Sequence, residues 1–247
     1  MTLAVIGGTG FGAFAGLTET KDHVVDTDFG QAEIQSGRLA GQAILFLPRH
    51  GMPARFLPHK INYRANLKAL QMLGASQILA VTAVGTVSED LNVPCLVVPD
   101  QIIDYTYGRA LTFFEDEINH IDFTHPYDAL FRTQLLAAVA EVAESHKEMQ
   151  AVLSGVYGCT QGPRLETKAE VRRLRNDGCS IVGMTAMPEA ALARELELPY
   201  AGISVTVNPG AGMADRDIAL AEIHEAMNQG LSWVKLVLAE LLSTPPV

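Results

Sequence analysis

The chain is poor in cysteine, in charge and above all in basic residues. Its three cysteines (Cys95, Cys159 and Cys179) form neither an even framework nor a CxxC pair. That sets aside a disulfide scaffold and leaves them as small buried hydrophobes in a protein expected in a reducing cytoplasm. Charged residues make up only 19% and hydrophobic ones 48%, a balance that supports a sizeable core and carries no disorder signature. Lys and Arg number 18 against 28 Asp and Glu, a net charge of −10. A nucleic-acid or anionic-membrane partner needs a basic face, so neither is expected, and an anionic ligand must be held by a local cluster of donors. No apolar run approaches a membrane span, and the N-terminus has no basic n-region or cleavage-site pattern, so no signal peptide is expected. No linker, repeat or low-complexity block divides the 247 residues, which are read as a single domain. No spacing of His, Cys, Asp or Glu suggests a metal site.

What is present is an alternation of β-rich runs and helical patterns. The β-rich runs are 3–7, 43–47, 77–82, 96–99, 151–157, 180–184 and 200–207, several of them apolar throughout, as central strands covered on both faces should be. Between them, 62–73 repeats Leu67, Leu70 and Leu73, and 128–144 carries Leu135, Leu136, Val139 and Val142 on one stripe. Thr167-Lys168-Ala169-Glu170 spells a capping box for a helix that Asp177-Gly178 ends. Pro188 suits the first turn of a helix over 189–195, and 218–242 reads as a long closing helix. The pattern predicts an α/β fold, a mixed β-sheet surrounded by helices.

The stretch Gly8-Thr9-Gly10-Phe11-Gly12-Ala13 fits the G-x-G-x-x-G/A spelling of dinucleotide folds, with Asp26 at about the ribose-acid distance. A dinucleotide site needs a substantial helix straight after the glycines. Gly16 and the polar run Thr18-Glu19-Thr20-Lys21-Asp22 leave no room for one. The glycines are therefore read as a loop around a small anion.

Two further anion candidates follow strands. Pro48-Arg49-His50-Gly51 offers a guanidinium fork and a ring N–H. Thr82-Ala83-Val84-Gly85-Thr86 offers a hydroxyl and accessible backbone N–H groups. Three more segments lie at strand ends or helix starts: Thr160-Gln161-Gly162-Pro163-Arg164-Leu165-Glu166-Thr167, Gly183-Met184-Thr185-Ala186-Met187-Pro188-Glu189 and Val207-Asn208-Pro209-Gly210-Ala211-Gly212. Taken in this order and at these separations, the six segments resemble the purine nucleoside phosphorylase and methylthioadenosine phosphorylase family, from about Ile6 to the last helix.

The resemblance implies a nucleoside phosphorylase-like fold, usually trimeric, that cleaves the N-glycosidic bond of a purine nucleoside with inorganic phosphate, without metal or organic cofactor. By position, Thr9, Arg49, His50, Thr82, Ala83 and Thr185 would hold the phosphate. Met184 would lie against the ribose, Leu165 would cover the base where relatives often carry Phe, and His120 resembles a residue that reaches a neighbouring subunit's site. Asn208 and His50 would be the catalytic pair, and Pro209 and Gly210 would continue the substrate loop.

Base and sugar preferences follow from hydrogen-bond chemistry on the same alignment. Relatives that use adenine nucleosides carry Asp at the position of Asn208 and a small residue at that of Glu166. Asn208 can donate to an O6 carbonyl and accept from N7–H, and Glu166 can accept from the N1–H that a 6-oxopurine has and adenine lacks. The expected base is a 6-oxopurine. Inosine-cleaving relatives place a His near the 5′-hydroxyl where Leu220 stands here, so an apolar 5′-methylthio group is favoured. The alternatives are a general inosine/guanosine phosphorylase, an adenine-preferring methylthioadenosine enzyme, and a non-catalytic nucleoside-binding protein.

Overall fold

In the computed structural model, described here for residues 2–8, 16–214 and 220–243, the chain follows the expected alternation. The strands are β1 (Leu3–Gly7), β2 (Thr18–Thr27), β3 (Gly30–Leu39), β4 (Gln42–Pro48), β5 (Gln77–Thr86), β6 (Leu96–Val97), β7 (Gln101–Asp104), β8 (Ala151–Val152), β9 (Val156–Cys159), β10 (Ile181–Gly183) and β11 (Tyr200–Pro209). The helices are α1 (Tyr63–Met72), α2 (Ala129–Ser145), α3 (Lys168–Asn176), α4 (Ala186–Glu195) and α5 (Leu220–Ser243). All eleven strands join one mixed sheet, whose main path runs β2-β3-β4-β1-β5-β10-β9-β7, with β11 on β5 and β6, and β8 on β6.

Strand β1 shows why its residues can all be apolar. Leu3 and Val5 pack on one face with Phe131, Leu135 and Val139 of α2 and Val234, Val237 and Leu238 of α5. Ala4 and Ile6 pack on the other with Leu67 and Leu70 of α1 and Ala190 and Leu192 of α4. Helices on both faces leave no exposed row for polar residues.

Strand β5 organises the functional end of the molecule. Its first half pairs in parallel with β1, ending at Ile6 opposite Ala80. Its last two residues, Gly85 and Thr86, pair antiparallel with β10 on that side. Between them, among the described residues, 81–84 pair only with β11. The sheet therefore opens where β1 ends and β10 has not yet begun, the kind of strand divergence at which α/β sheets place ligands. Opposite this gap, the register of β11 on β5 shifts between Thr206 and Asn208. Such a bulge re-aims a side chain beside a site, and here it presents Asn208.

Three sequence expectations are corrected. The run 77–82 continues to Thr86, and the extension carries the contacts to β10. The run 151–157 is two strands, β8 and β9, because the chain breaks at Gly155 with φ +149°. The hairpin β2–β3 went unread, since its exposed polar residues lack an apolar face in β2, and its two-residue turn closes at Gly30 with φ +115°. Asp26 lies on this hairpin, exposed and bonded to Gln31 Nε2 at 2.8 Å, a structural carboxylate of the strand pair.

Candidate functional site

A cavity of about 210 Å³ opens at the sheet gap. Its walls include Arg49, His50, Thr82, Ala83, Leu165, Glu166, Met184, Thr185 and Asn208, which come from five of the six motif segments and converge from positions up to 159 residues apart (208 − 49). Gly8 adds the start of the sixth.

Arg49 follows β4 and is 1% exposed. Its Nε and Nη2 donate to the two carboxylate oxygens of Glu189 at 2.6 and 2.8 Å, and Nη1 donates to the Val81 carbonyl at 3.0 Å. Val81 lies on the stretch of β5 with no strand on the β1 side, so the guanidinium takes the place of a ladder neighbour. Burial opposes the charge of Arg49, but the pull of Glu189 and its hydrogen bonds prevail and raise its pKa. Glu189, itself 1% exposed, also accepts from the Tyr200 hydroxyl at 2.9 Å. Of five guanidinium N–H groups, three are spent on these partners, which leaves one on each Nη for a ligand. Gly8 permits this: a Cβ there would stand 3.1 Å from Nη1 and 3.3 Å from the Val81 carbonyl.

His50 donates from Nδ1 to the Phe56 carbonyl at 2.8 Å, since a carbonyl can only accept. Desolvation lowers its pKa, with the neighbouring Arg49 charge acting the same way, while the Phe56 bond and Glu189 act against them. The neutral ring so favoured carries its proton on Nδ1 and presents Nε2 as an acceptor. Thr82 shares a 2.8 Å hydrogen bond with the buried Ser204, its register partner on β11. Thr185 precedes α4 without a side-chain capping bond, and its hydroxyl interacts with the buried Tyr157 hydroxyl.

Also lining the cavity, Glu166 Oε1 accepts from the Thr160 hydroxyl at 2.6 Å, leaving Oε2 for another donor. Asn208 donates one amide N–H to the Pro209 carbonyl at 2.8 Å and retains a second N–H and Oδ1. Leu165 is half exposed at the rim. The remaining wall is apolar: Val207, Ala211, and Ile223 and Met227, one turn apart on α5.

The placement of other expected residues differs. Pro209 and Gly210 face a neighbouring crevice, and Gly210 is a packing position whose N–H bonds to the Thr86 carbonyl at 2.8 Å; a Cβ there would lie 2.6 Å from that oxygen. His120 is exposed and does not line this chain's cavity. Thr9 and the side chain of Leu220 lie outside the described residues. Sequence reading missed Ile223 and Met227, although α5 was expected, because a site-facing turn and a core-facing turn share one apolar stripe. It also gave Glu189 no role beyond its place in the motif; a carboxylate one turn into a helix carries no local sign of a partner 140 residues away. Among the described residues, no three His, Cys, Asp or Glu side chains cluster so as to hold a metal ion. No described helix is long and apolar enough to cross a membrane.

The profile of the phosphorylase superfamily matches residues 2–243. The chain belongs to this superfamily. Among its relatives within the phosphorylase superfamily is the probable S-methyl-5′-thioinosine phosphorylase of Pseudomonas syringae pv. tomato, 49% identical over 245 residues, which span 97% of this chain and 98% of the relative. The 6-oxopurine nucleoside phosphorylase of Pyrococcus furiosus is 38% identical over 98% of this chain and 93% of its own. Among solved structures, methylthioadenosine phosphorylase from Schistosoma mansoni in complex with adenine superposes with a TM-score of 0.91 at 29% identity, covering 98% of this chain and 91% of that one.

Proposed function

We propose that the chain is a phosphorylase of 6-oxopurine nucleosides whose preferred substrate is S-methyl-5′-thioinosine, giving hypoxanthine and 5-methylthioribose 1-phosphate. The observation that carries this reading is the joint presence of Glu166 and Asn208 in one cavity with Arg49, His50, Thr82 and Thr185. The named relatives from Pseudomonas syringae and Pyrococcus furiosus support it.

Phosphate is a mediocre nucleophile and a purine anion a poor leaving group, so positioning and charge placement must carry the rate. The spare donors of Arg49 and the hydroxyls of Thr82 and Thr185 suit the oxygens of monohydrogen phosphate. Nε2 of neutral His50 suits its single P–OH. As a phosphate oxygen bonds to C1′, the C1′–N9 bond breaks and its electron pair passes to the purine, while the anion offsets the positive charge developing on the sugar. The proton lost by monohydrogen phosphate is balanced by the proton gained by the purine. The Asn208 amide can accept from N7–H and donate to O6, and Glu166 can accept from N1–H. Adenine would instead set its N1 lone pair against the Glu166 carboxylate, a mismatch of about 1–3 kcal/mol per buried group.

At the 5′ end, Val207, Ala211, Ile223 and Met227 make an apolar wall, and His50 is the sole histidine lining the cavity among the described residues. Burying a methylthio group there contributes roughly 1–3 kcal/mol. The same reading needs neither metal nor organic cofactor, and takes the chain as a homotrimer in which exposed His120 reaches a neighbouring copy, so that the solution mass should equal three chains.

The base assignment is tested by Asn208→Asp. An acid at this position accepts from the 6-amino group, so the ratio of kcat/KM for methylthioadenosine over methylthioinosine should rise roughly tenfold to a hundredfold. An unchanged ratio would remove Asn208 from base recognition.

A further inference from the structure

Two of the segments that line the cavity are joined by a side chain that does not line it. Arg109 lies on the long strap between β7 and α2, residues 105–128, which has no regular secondary structure. Its Nε donates to Gln161 Oε1 at 3.1 Å, and its Nη2 to the backbone carbonyls of Gln161 at 2.9 Å and Thr160 at 3.3 Å. Its Nη1 donates to the carbonyls of Met184 at 2.9 Å and Met187 at 2.5 Å, with the Tyr63 hydroxyl at 3.4 Å. Tyr63 in turn donates to the carbonyl of Pro58, a residue of the cavity wall, at 2.9 Å.

We infer that Arg109 is a positioning residue that fixes the base-facing and ribose-facing segments relative to each other, and so sets nucleoside affinity and turnover. This rests on the phosphorolysis reading above. The chain of contacts is short on both sides. Thr160, whose carbonyl Arg109 holds, orients Glu166 through its hydroxyl. Met184, the residue expected against the ribose, has its carbonyl fixed by the same guanidinium. The two segments also touch directly: Gly162 has φ +62°, and a Cβ there would lie 2.5 Å from Met184 Sδ, so their spacing admits little adjustment.

The fork is what this junction requires. A planar guanidinium offers donors in fixed directions to two separate loops, whereas a lysine ammonium is a point donor. No ion pair among the described residues includes Arg109, so its charge is met by carbonyl dipoles and not by a carboxylate. Of the anion donors, Arg49, His50 and Thr82 lie outside this network, whereas Thr185 sits between the held carbonyls of Met184 and Met187. A defect at Arg109 should therefore fall more heavily on the nucleoside than on phosphate.

The experiment compares wild type, Arg109→Lys and Arg109→Ala in steady-state phosphorolysis of methylthioinosine, with and without added guanidinium, alongside hydrogen exchange of segments 158–166 and 183–188. A misplacement of this kind costs roughly tenfold to a hundredfold. Both variants should lose that much in kcat/KM for the nucleoside, while phosphate KM rises by a clearly smaller factor. Guanidinium should restore part of the activity of Arg109→Ala, and exchange in that variant should rise in both segments together. A lysine variant equal to wild type, an equal rise in phosphate KM, failure of guanidinium rescue, or faster exchange in one segment alone would overturn the inference. A wild type that releases no hypoxanthine would instead sink the phosphorolysis reading, and the exchange data would still decide whether Arg109 couples the segments.

Discussion

Arg49 looks, in sequence, like a free cation waiting for phosphate, and it is not free. Its charge is matched by Glu189, and both groups are 1% exposed. Removing one partner of a buried pair leaves an uncompensated charge, at a cost of about 3–5 kcal/mol. Glu189→Gln should therefore lose roughly that much unfolding free energy, read by urea denaturation. Bound phosphate should restore part of the loss, because the anion then serves as the counter-charge of Arg49, so phosphate should raise the Tm of the variant more than that of wild type. An equal phosphate-induced shift in both proteins would contradict this account of Arg49. The donor side chains that line the cavity were legible because Arg, His and Thr at strand ends announce donor chemistry. Their partner Glu189 was not, since only the fold brings residues 49 and 189 together.

Two cavity-lining residues, Leu165 and Glu166, lie immediately before the N-cap of helix α3. Thr167 accepts from the Glu170 amide at 3.2 Å, and Glu170 accepts from the Thr167 amide at 2.7 Å, the capping box the sequence spells. Arg164 grips the Glu170 carboxylate with two bonds of 2.8 Å. These bonds to Arg164 and to the Thr167 backbone push Glu170 down to about 2. Leu165 and Glu166 lie between the two anchors, so the cap also holds in place the residues proposed to face the base. Thr167→Ala should lose about 0.5–2 kcal/mol of stability. It should also raise nucleoside KM and leave phosphate KM unchanged, because the anion donors lie on other elements; parallel rises in both would show that the cap supports the fold alone. The capping box was readable because its signal is local, four residues long. The bulge that turns Asn208 inward was not, because a register shift belongs to a pair of strands.

For the whole molecule, the alternation of strands and helices was legible because the central strands are buried on both faces and read as unbroken apolar runs. The hairpin β2–β3 was hidden by its polar exposed edge, and the length of β5 by small residues at its functional end. At that end β5 loses β1 and has not yet met β10, and the cavity at the gap brings Arg49, His50, Thr82 and Thr185 together with Glu166 and Asn208. An apolar turn of α5, Ile223 and Met227, closes the remaining side. The most direct measurement is release of free base from methylthioinosine, inosine and methylthioadenosine, each assayed with and without inorganic phosphate. Release should require phosphate, with kcat/KM highest for methylthioinosine and lower for each of the others by roughly tenfold or more, as one missing apolar group or one mismatched polar group implies. Phosphate-independent release, or methylthioadenosine as the best substrate, would contradict this reading.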